Sequence, residues 1–107
     1  MDANAITDAI VSAAAQVAGD TWQKIRQSAP IYVRGFAQAL VDIAAGVLRG
    51  EISRTDGKMY AQNARLMLVQ GIANTAQILL VQVQKLMDSV FNTVRTGING
   101  ALKVAIL

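Results

Sequence analysis

The chain has 107 residues, of which 53% are hydrophobic, 5% aromatic and 16% charged, and its formal net charge is +3 at pH 7. So much apolar surface excludes an intrinsically disordered chain, and the length suits a single domain. Cysteine and histidine are both absent, which excludes disulfides, thiol catalysis and histidine-based acid–base or metal chemistry.

The first predicted element is one amphipathic helix over residues about 4–28. Apolar side chains recur along it every three or four residues, and polar side chains lie on the opposite face. Gly19 is its weakest point, because an interior glycine costs a helix roughly 1 kcal/mol relative to alanine. The apolar face comprises Ile6, Ile10, Ala14, Ala18, Trp22, Ile25 and Ala29.

The second predicted helix runs over residues about 30–49. Pro30 disfavours helical geometry at the residue before it, so the first helix is expected to end there and the second to begin. A solvated turn over residues 50–57 follows. Gly50 suits a helix C-cap, and Ser53 with Asp56 has the spacing of an N-cap and its third helical residue.

The third predicted helix is long, over residues 57–96 or to 104, with Gly97 as a place where it could end early. Apolar positions from Leu68 to Ala101 follow at steps of three or four, so 33 residues make nine turns. The period of about 3.67 residues matches a straight helix and not a heptad coiled coil. A continuous helix of this extent would be roughly 65–70 Å long.

These elements predict an all-α fold, either an antiparallel helical hairpin or a three-helix arrangement with a long C-terminal helix. The first two helices are each about half as long as the third, so part of its apolar face is expected to remain uncovered. We therefore expect oligomerisation to complete the fold, with a second copy as the simplest partner. The predicted interface consists of Leu68, Ile72, Leu79, Val83, Leu86, Val90 and Val94.

Substitution at this interface gives the hypothesis a test. Leu79→Asp or Leu86→Asp is expected to dissociate the assembly.

A polar stripe of amide side chains lies opposite the predicted interface, on Gln70, Asn74, Gln77 and Gln84. It belongs to residues 66–84, which carry no charge. Three interpretations are open: an ordinary solvent face, a polar seam between packed copies, or the wall of a wet lumen in a membrane-active assembly.

The sequence favours a non-catalytic protein with no cofactor and no metal site. No carboxylates are paired at helical spacing, no histidine can activate a serine, and no phosphate-binding loop is present. The leading prediction is a self-assembling structural or protein-interaction protein.

The alternative is a membrane-active helical protein, whether pore-forming, holin-like or envelope-penetrating. The uncharged residues 66–84 are long enough for a span, the excess positive charge lies in the C-terminal half, and residues 104–107 are apolar. A membrane surface is therefore a possible partner.

A third and weaker hypothesis is an adaptor that binds protein or nucleic acid through the turn. Arg49, Arg54 and Lys58 would make the contacts, but Glu51 and Asp56 alternate with them, so nucleic acid is not favoured as a partner. The polar start of the chain does not resemble a secretory signal. The expected location is the cytoplasm or an assembled particle or filament, with membrane association open.

Overall fold

Five helices form along the part of the chain that the computed structural model describes, residues 2–17 and 19–107, and no strand is found there. They are α1 (Ala3–Gln16), α2 (Thr21–Ile25), α3 (Ala29–Leu48), α4 (Arg54–Ala76) and α5 (Leu80–Leu102). The predicted all-α class is confirmed.

The N-terminal region differs from the single predicted helix over 4–28. Asp2 caps α1, accepting a hydrogen bond from the N–H of Ala5 at 2.8 Å. The helix ends at Gln16 because Val17 is extended, with φ −70° and ψ 133°. Gly19 then adopts φ +119°, a conformation that residues with a side chain rarely adopt. Ala18, expected in the middle of the helix, lies outside the described residues.

The start of α3 agrees with the prediction. Ser28 occupies the N-cap position and Pro30 lies in the first turn, where its missing N–H removes no helical hydrogen bond.

The end of α3 is a two-bond cap centred on Gly50, which has φ +75°. The N–H of Gly50 donates to Val47 O at 3.1 Å, and the N–H of Glu51 donates to Gly46 O at 2.9 Å. This pair of bonds satisfies carbonyls that the end of a helix leaves free, and the left-handed residue it needs is most often glycine.

The N-terminus of α4 is capped by Ser53, as the spacing predicts. Its hydroxyl accepts a hydrogen bond from the N–H of Asp56 at 3.0 Å, and the Asp56 carboxylate lies in the first turn, where the helix dipole favours negative charge.

The long C-terminal helix of the prediction is divided in the structure into α4 and α5, of 23 residues each. Gln77 adopts the left-handed conformation, with φ 56° and ψ 43°, and the N–H of Ile78 reaches back to Ala73 O at 3.2 Å. Leu79 is extended and precedes α5. Helix α5 then continues through Gly97 without a break.

Burial explains why this division is favourable. A left-handed residue other than glycine costs roughly 1–2 kcal/mol, whereas burying one large apolar side chain stabilises by roughly 1.5–3 kcal/mol. Folding α5 back keeps the longest dimension of the molecule at 41 Å and buries a row of its side chains, namely Val83, Leu86, Met87, Val90, Phe91, Ile98 and Leu102. Several such gains outweigh one strained residue.

Four long helices surround the core: α3 and α5 each lie against both α1 and α4, while the short α2 packs on α4 and α5. Phe36 of α3 contacts Phe91 of α5, with ring centroids 5.3 Å apart.

Tyr32 joins α3 to α4. Its ring lies over Gly71, where a Cβ would be 2.6 Å from the ring, and its hydroxyl is 2.5 Å from Thr75 Oγ1.

The chain after α5 turns back onto the bundle. Val104 and Ile106 are buried, and the side-chain amide of Asn99 pairs with the main chain of Leu107. The Leu107 N–H donates to Asn99 Oδ1 at 2.9 Å, and Asn99 Nδ2 donates to Leu107 O at 3.2 Å. The apolar end that favoured a membrane-active protein is therefore packed into the chain's own core.

The exposed area is close to that of a self-contained domain. The accessible surface is 6141 Å², against about 5,800 Å² expected for a folded monomer of this mass. The radius of gyration is 13.3 Å, against about 13 Å expected. The apolar stripe from Leu68 to Ala101, which was the reason to expect oligomerisation, is largely covered by the chain's own helices within the described residues.

Candidate interaction surface

The predicted interface lies mostly inside the molecule. Because the break at Gln77 folds α5 over α4 and α1, five of its seven members are buried in the chain's own core: Leu68, Ile72, Val83, Leu86 and Val90. Val94 is half-buried, and Leu79 is 67% exposed beside the break. Leu86→Asp would therefore introduce a charge into the core, and its effect would not report on association.

The four members of the polar stripe, Gln70, Asn74, Gln77 and Gln84, are all exposed. Gln77 lies in the link between the helices, so the stripe is not continuous along one helix. A polar seam between packed copies stays a prediction.

Apolar surface does remain outside, at positions that sequence reasoning did not select. The exposed large apolar side chains of the described residues are Ile31, Leu48, Met59, Tyr60, Leu66, Met67, Leu79, Leu80 and Val81. Four of these lie on α4, more than on any other helix.

The outer face of α4 combines apolar and amide side chains. Met59 and Leu66 are seven residues apart, as are Tyr60 and Met67, so each pair lies on one side of the helix two turns apart. Between Lys58 and the end of α4, the one charged residue is Arg65, and its guanidinium is bound to Asp88 of α5. This face is therefore uncharged.

A groove between α3 and α4 adjoins the same face. Its volume is about 330 Å³, and its lining is Ile31, Tyr32, Gly35, Phe36, Ala39, Ala64, Met67 and Leu68. Ile31 and Met67 are each 71% exposed. Three of the other lining residues, Gly35, Ala39 and Ala64, are small, and a Cβ on Gly35 would meet no atom within 4 Å. The groove therefore has two protruding apolar side chains beside an open floor.

Three exposed cations lie in and beside the turn between α3 and α4: Arg49 follows the end of α3, and Arg54 and Lys58 lie in the first two turns of α4. Arg49 binds Glu51 in a two-bond pair, with Nε to Oε1 at 3.0 Å and Nη2 to Oε2 at 3.2 Å. This hydrogen bonding lowers the pKa of Glu51 and raises the pKa of Arg49, which hold each other in the charged form. The turn thus offers fewer free cations than its sequence indicates.

Two further features bear on function: metal sites and helices that could span a membrane. In residues 2–17 and 19–107, no three acidic side chains lie close enough to hold a metal ion. By length and composition alone, α3 could cross a membrane, and 33% of its most apolar window is buried in the bundle. Since the core helix of a soluble protein passes the same test, this observation is weak.

No family model, curated protein or solved structure matches this chain. The functional proposal is therefore based on the surface of the molecule.

Proposed function

We propose that this protein is a non-catalytic helical interaction protein that self-associates through the groove between α3 and α4. The observation that supports this proposal is the pairing of protruding Ile31 and Met67 with the open floor over Gly35. Self-association thus stays the predicted role of the protein, but the proposed surface shares only Leu68 with the interface predicted from the sequence.

A symmetric pair suits this shape. In a two-fold interface, each patch meets its own copy, so a patch must contain both a projection and a space. The Met67 side chain of one copy can enter the space over Gly35 of the other, and the reverse contact follows by symmetry. Methionine suits this role because its unbranched, flexible chain fits irregular gaps.

The pairing is expected to be reversible. Burial of one large apolar side chain contributes roughly 1.5–3 kcal/mol, and a stable interface needs about 800 Å² from each partner. The core closes without a partner, so dissociation leaves a folded monomer. The protein would then respond to its own concentration, as a building unit or a regulator by association does.

Sedimentation equilibrium across a concentration series tests the proposal with two matched variants. Gly35→Leu fills the groove floor from within, and we expect it to abolish association while the far-UV circular dichroism is unchanged. Gly97→Leu is the control, because Gly97 is also an exposed helical glycine with no atom within 4 Å of a built Cβ. A native chain that stays monomeric at every concentration, or equal dissociation by both variants, contradicts the proposal.

Met67→Glu adds an electrostatic version of the same test. A charge at this position would be desolvated in the interface, so the dimer should weaken by at least about tenfold, or 1.4 kcal/mol. Leu79→Glu is the control, since Leu79 is 67% exposed and does not line the groove.

The membrane-active alternative has one observation in its favour, the length and apolar composition of α3. Of its three supports in the sequence, two are weaker in the structure, because the link at Gln77 divides the uncharged residues 66–84 and the apolar tail is packed in the core. Flotation with anionic vesicles at low salt separates the two functions: recovery of the native chain with the vesicles favours the membrane, and recovery in the aqueous phase favours self-association.

A further inference from the structure

A second cavity, of about 260 Å³, lies between α4 and α5 beside the returning tail. Its lining is Lys58, Ala61, Gln62, Arg65, Arg95, Ile106 and Leu107. Cationic side chains come from both helices, and no acidic side chain lines the cavity among the described residues. Ala61 and Ile106 give it an apolar floor.

Arg65 is held in a fixed position at this cavity. Its Nη2 binds Asp88, and its guanidinium carbon lies 4.4 Å from the centroid of the Phe91 ring. A guanidinium has five N–H donors, so the bond to Asp88 leaves others available. Stacking and the ion pair together reduce the entropy that Arg65 would lose on binding an anion.

Lys58, Gln62 and Arg65 lie on one face of α4, at the spacing of successive helical turns. Arg95 completes the set from α5 and is half-buried. Within the described part of the chain, neither Lys58 nor Arg95 forms a salt bridge. Arg65 is paired with Asp88, so the excess positive charge of the cavity comes from Lys58 and Arg95.

We propose that this cavity binds the phosphate group of a small phosphomonoester or of a lipid headgroup. Guanidinium groups match the geometry of phosphate oxygens, and a second cation with a neutral amide donor completes the coordination of a multiply charged oxyanion. The apolar floor would contact the carbon attached to the ester oxygen. This site does not depend on the proposed self-association, because its residues do not line the groove between α3 and α4.

A titration followed by nuclear magnetic resonance tests the site, with inorganic phosphate as the probe at low ionic strength. Saturable shifts are expected at the side-chain N–H groups of Arg95, Arg65 and Gln62, and they should weaken as salt is added. Arg95→Gln should raise the dissociation constant by about tenfold, because it removes a charge-assisted hydrogen bond.

Arg34→Gln is the matched control, because it makes the same change of charge at an exposed residue of α3 outside the cavity. It should leave the dissociation constant within about twofold. Thermal melting should show that both variants are folded. Vesicles containing phosphatidic acid form a second arm that distinguishes a lipid headgroup from a free phosphate.

Binding of either probe that depends on Arg95 supports the site. An absence of saturable binding to both probes, or equal weakening by Arg34→Gln and Arg95→Gln, would overturn it.

Discussion

The link between α1 and α2 turns at a glycine, whereas the link between α4 and α5 turns at a glutamine. Gly19 has φ +119°, which demands the absence of a side chain, and Gln77 has φ +56°, which a side chain tolerates at a cost. The first break is thus favoured by the residue that forms it. The second break is imposed by the core, because folding α5 back buries the apolar face of that helix.

The difference teaches that helical periodicity identifies which face is apolar and does not establish that a helix is continuous. A chain can reverse between two helices and keep every apolar residue in phase. Where the apolar face is longer than its covering helices, the chain can shorten it by folding back instead of recruiting a partner.

The largest effect is expected from removing a large side chain from the buried face of α5, the face whose burial imposes the second break. Phe91→Ala should destabilise the monomer by about 3–5 kcal/mol, because Phe91 is fully buried against Phe36 and beneath Arg65. Urea unfolding measures the loss. Val81→Ala is the control and should change stability by about 0.5 kcal/mol or less, since Val81 is 64% exposed. An unchanged unfolding midpoint for Phe91→Ala would mean that α5 does not belong to the chain's own core.

Gly19→Ala tests the locally favoured break. A side chain at φ +119° should cost about 1–3 kcal/mol of stability. The same substitution at Gly35 should instead stabilise by about 0.5–1 kcal/mol, because that glycine is helical and has open space around it. Thermal unfolding compares the two variants, and a gain in stability from Gly19→Ala would show that the link does not need its left-handed residue.

The imposed break predicts a smaller effect than Gly19→Ala, with a change of sign between two glutamines. Gln77→Gly should relieve the left-handed conformation and stabilise by about 1 kcal/mol, which raises Tm by about 4 °C. Gln70→Gly, in the middle of α4, should lower stability by about 1 kcal/mol. Calorimetry measures both. Destabilisation by both substitutions would mean that residue 77 is helical in solution.

Local signals in the sequence predict the capped ends well. Pro30, Gly50 and Ser53 each fix a boundary through their own backbone geometry or hydrogen bonding, and the structure confirms all three roles. Such features depend on neighbours within a few residues, so no knowledge of the tertiary fold is needed.

The candidate surface could not be predicted in the same way. Which side of α4 faces outward depends on how α3 and α5 dock on it. The sequence does not show this docking, so Leu68 and Ile72 were expected at an interface with a second copy, whereas the structure buries them in the core. One signal was present: Tyr60 with Met67, seven residues apart, marks a second apolar line on α4, and Met67 lines the groove. An uncharged line beside the main apolar face is worth treating as a separate candidate interface.

The returning tail has a consequence for how this protein is made. Val104 and Ile106 seal one part of the core, and they are synthesised after all five described helices. Since a ribosome still encloses these residues when α1 to α4 have emerged, the nascent chain would hold an open core until translation has passed them. Closure of the core therefore has to wait until Val104 and Ile106 have left the ribosome, after the first four helices.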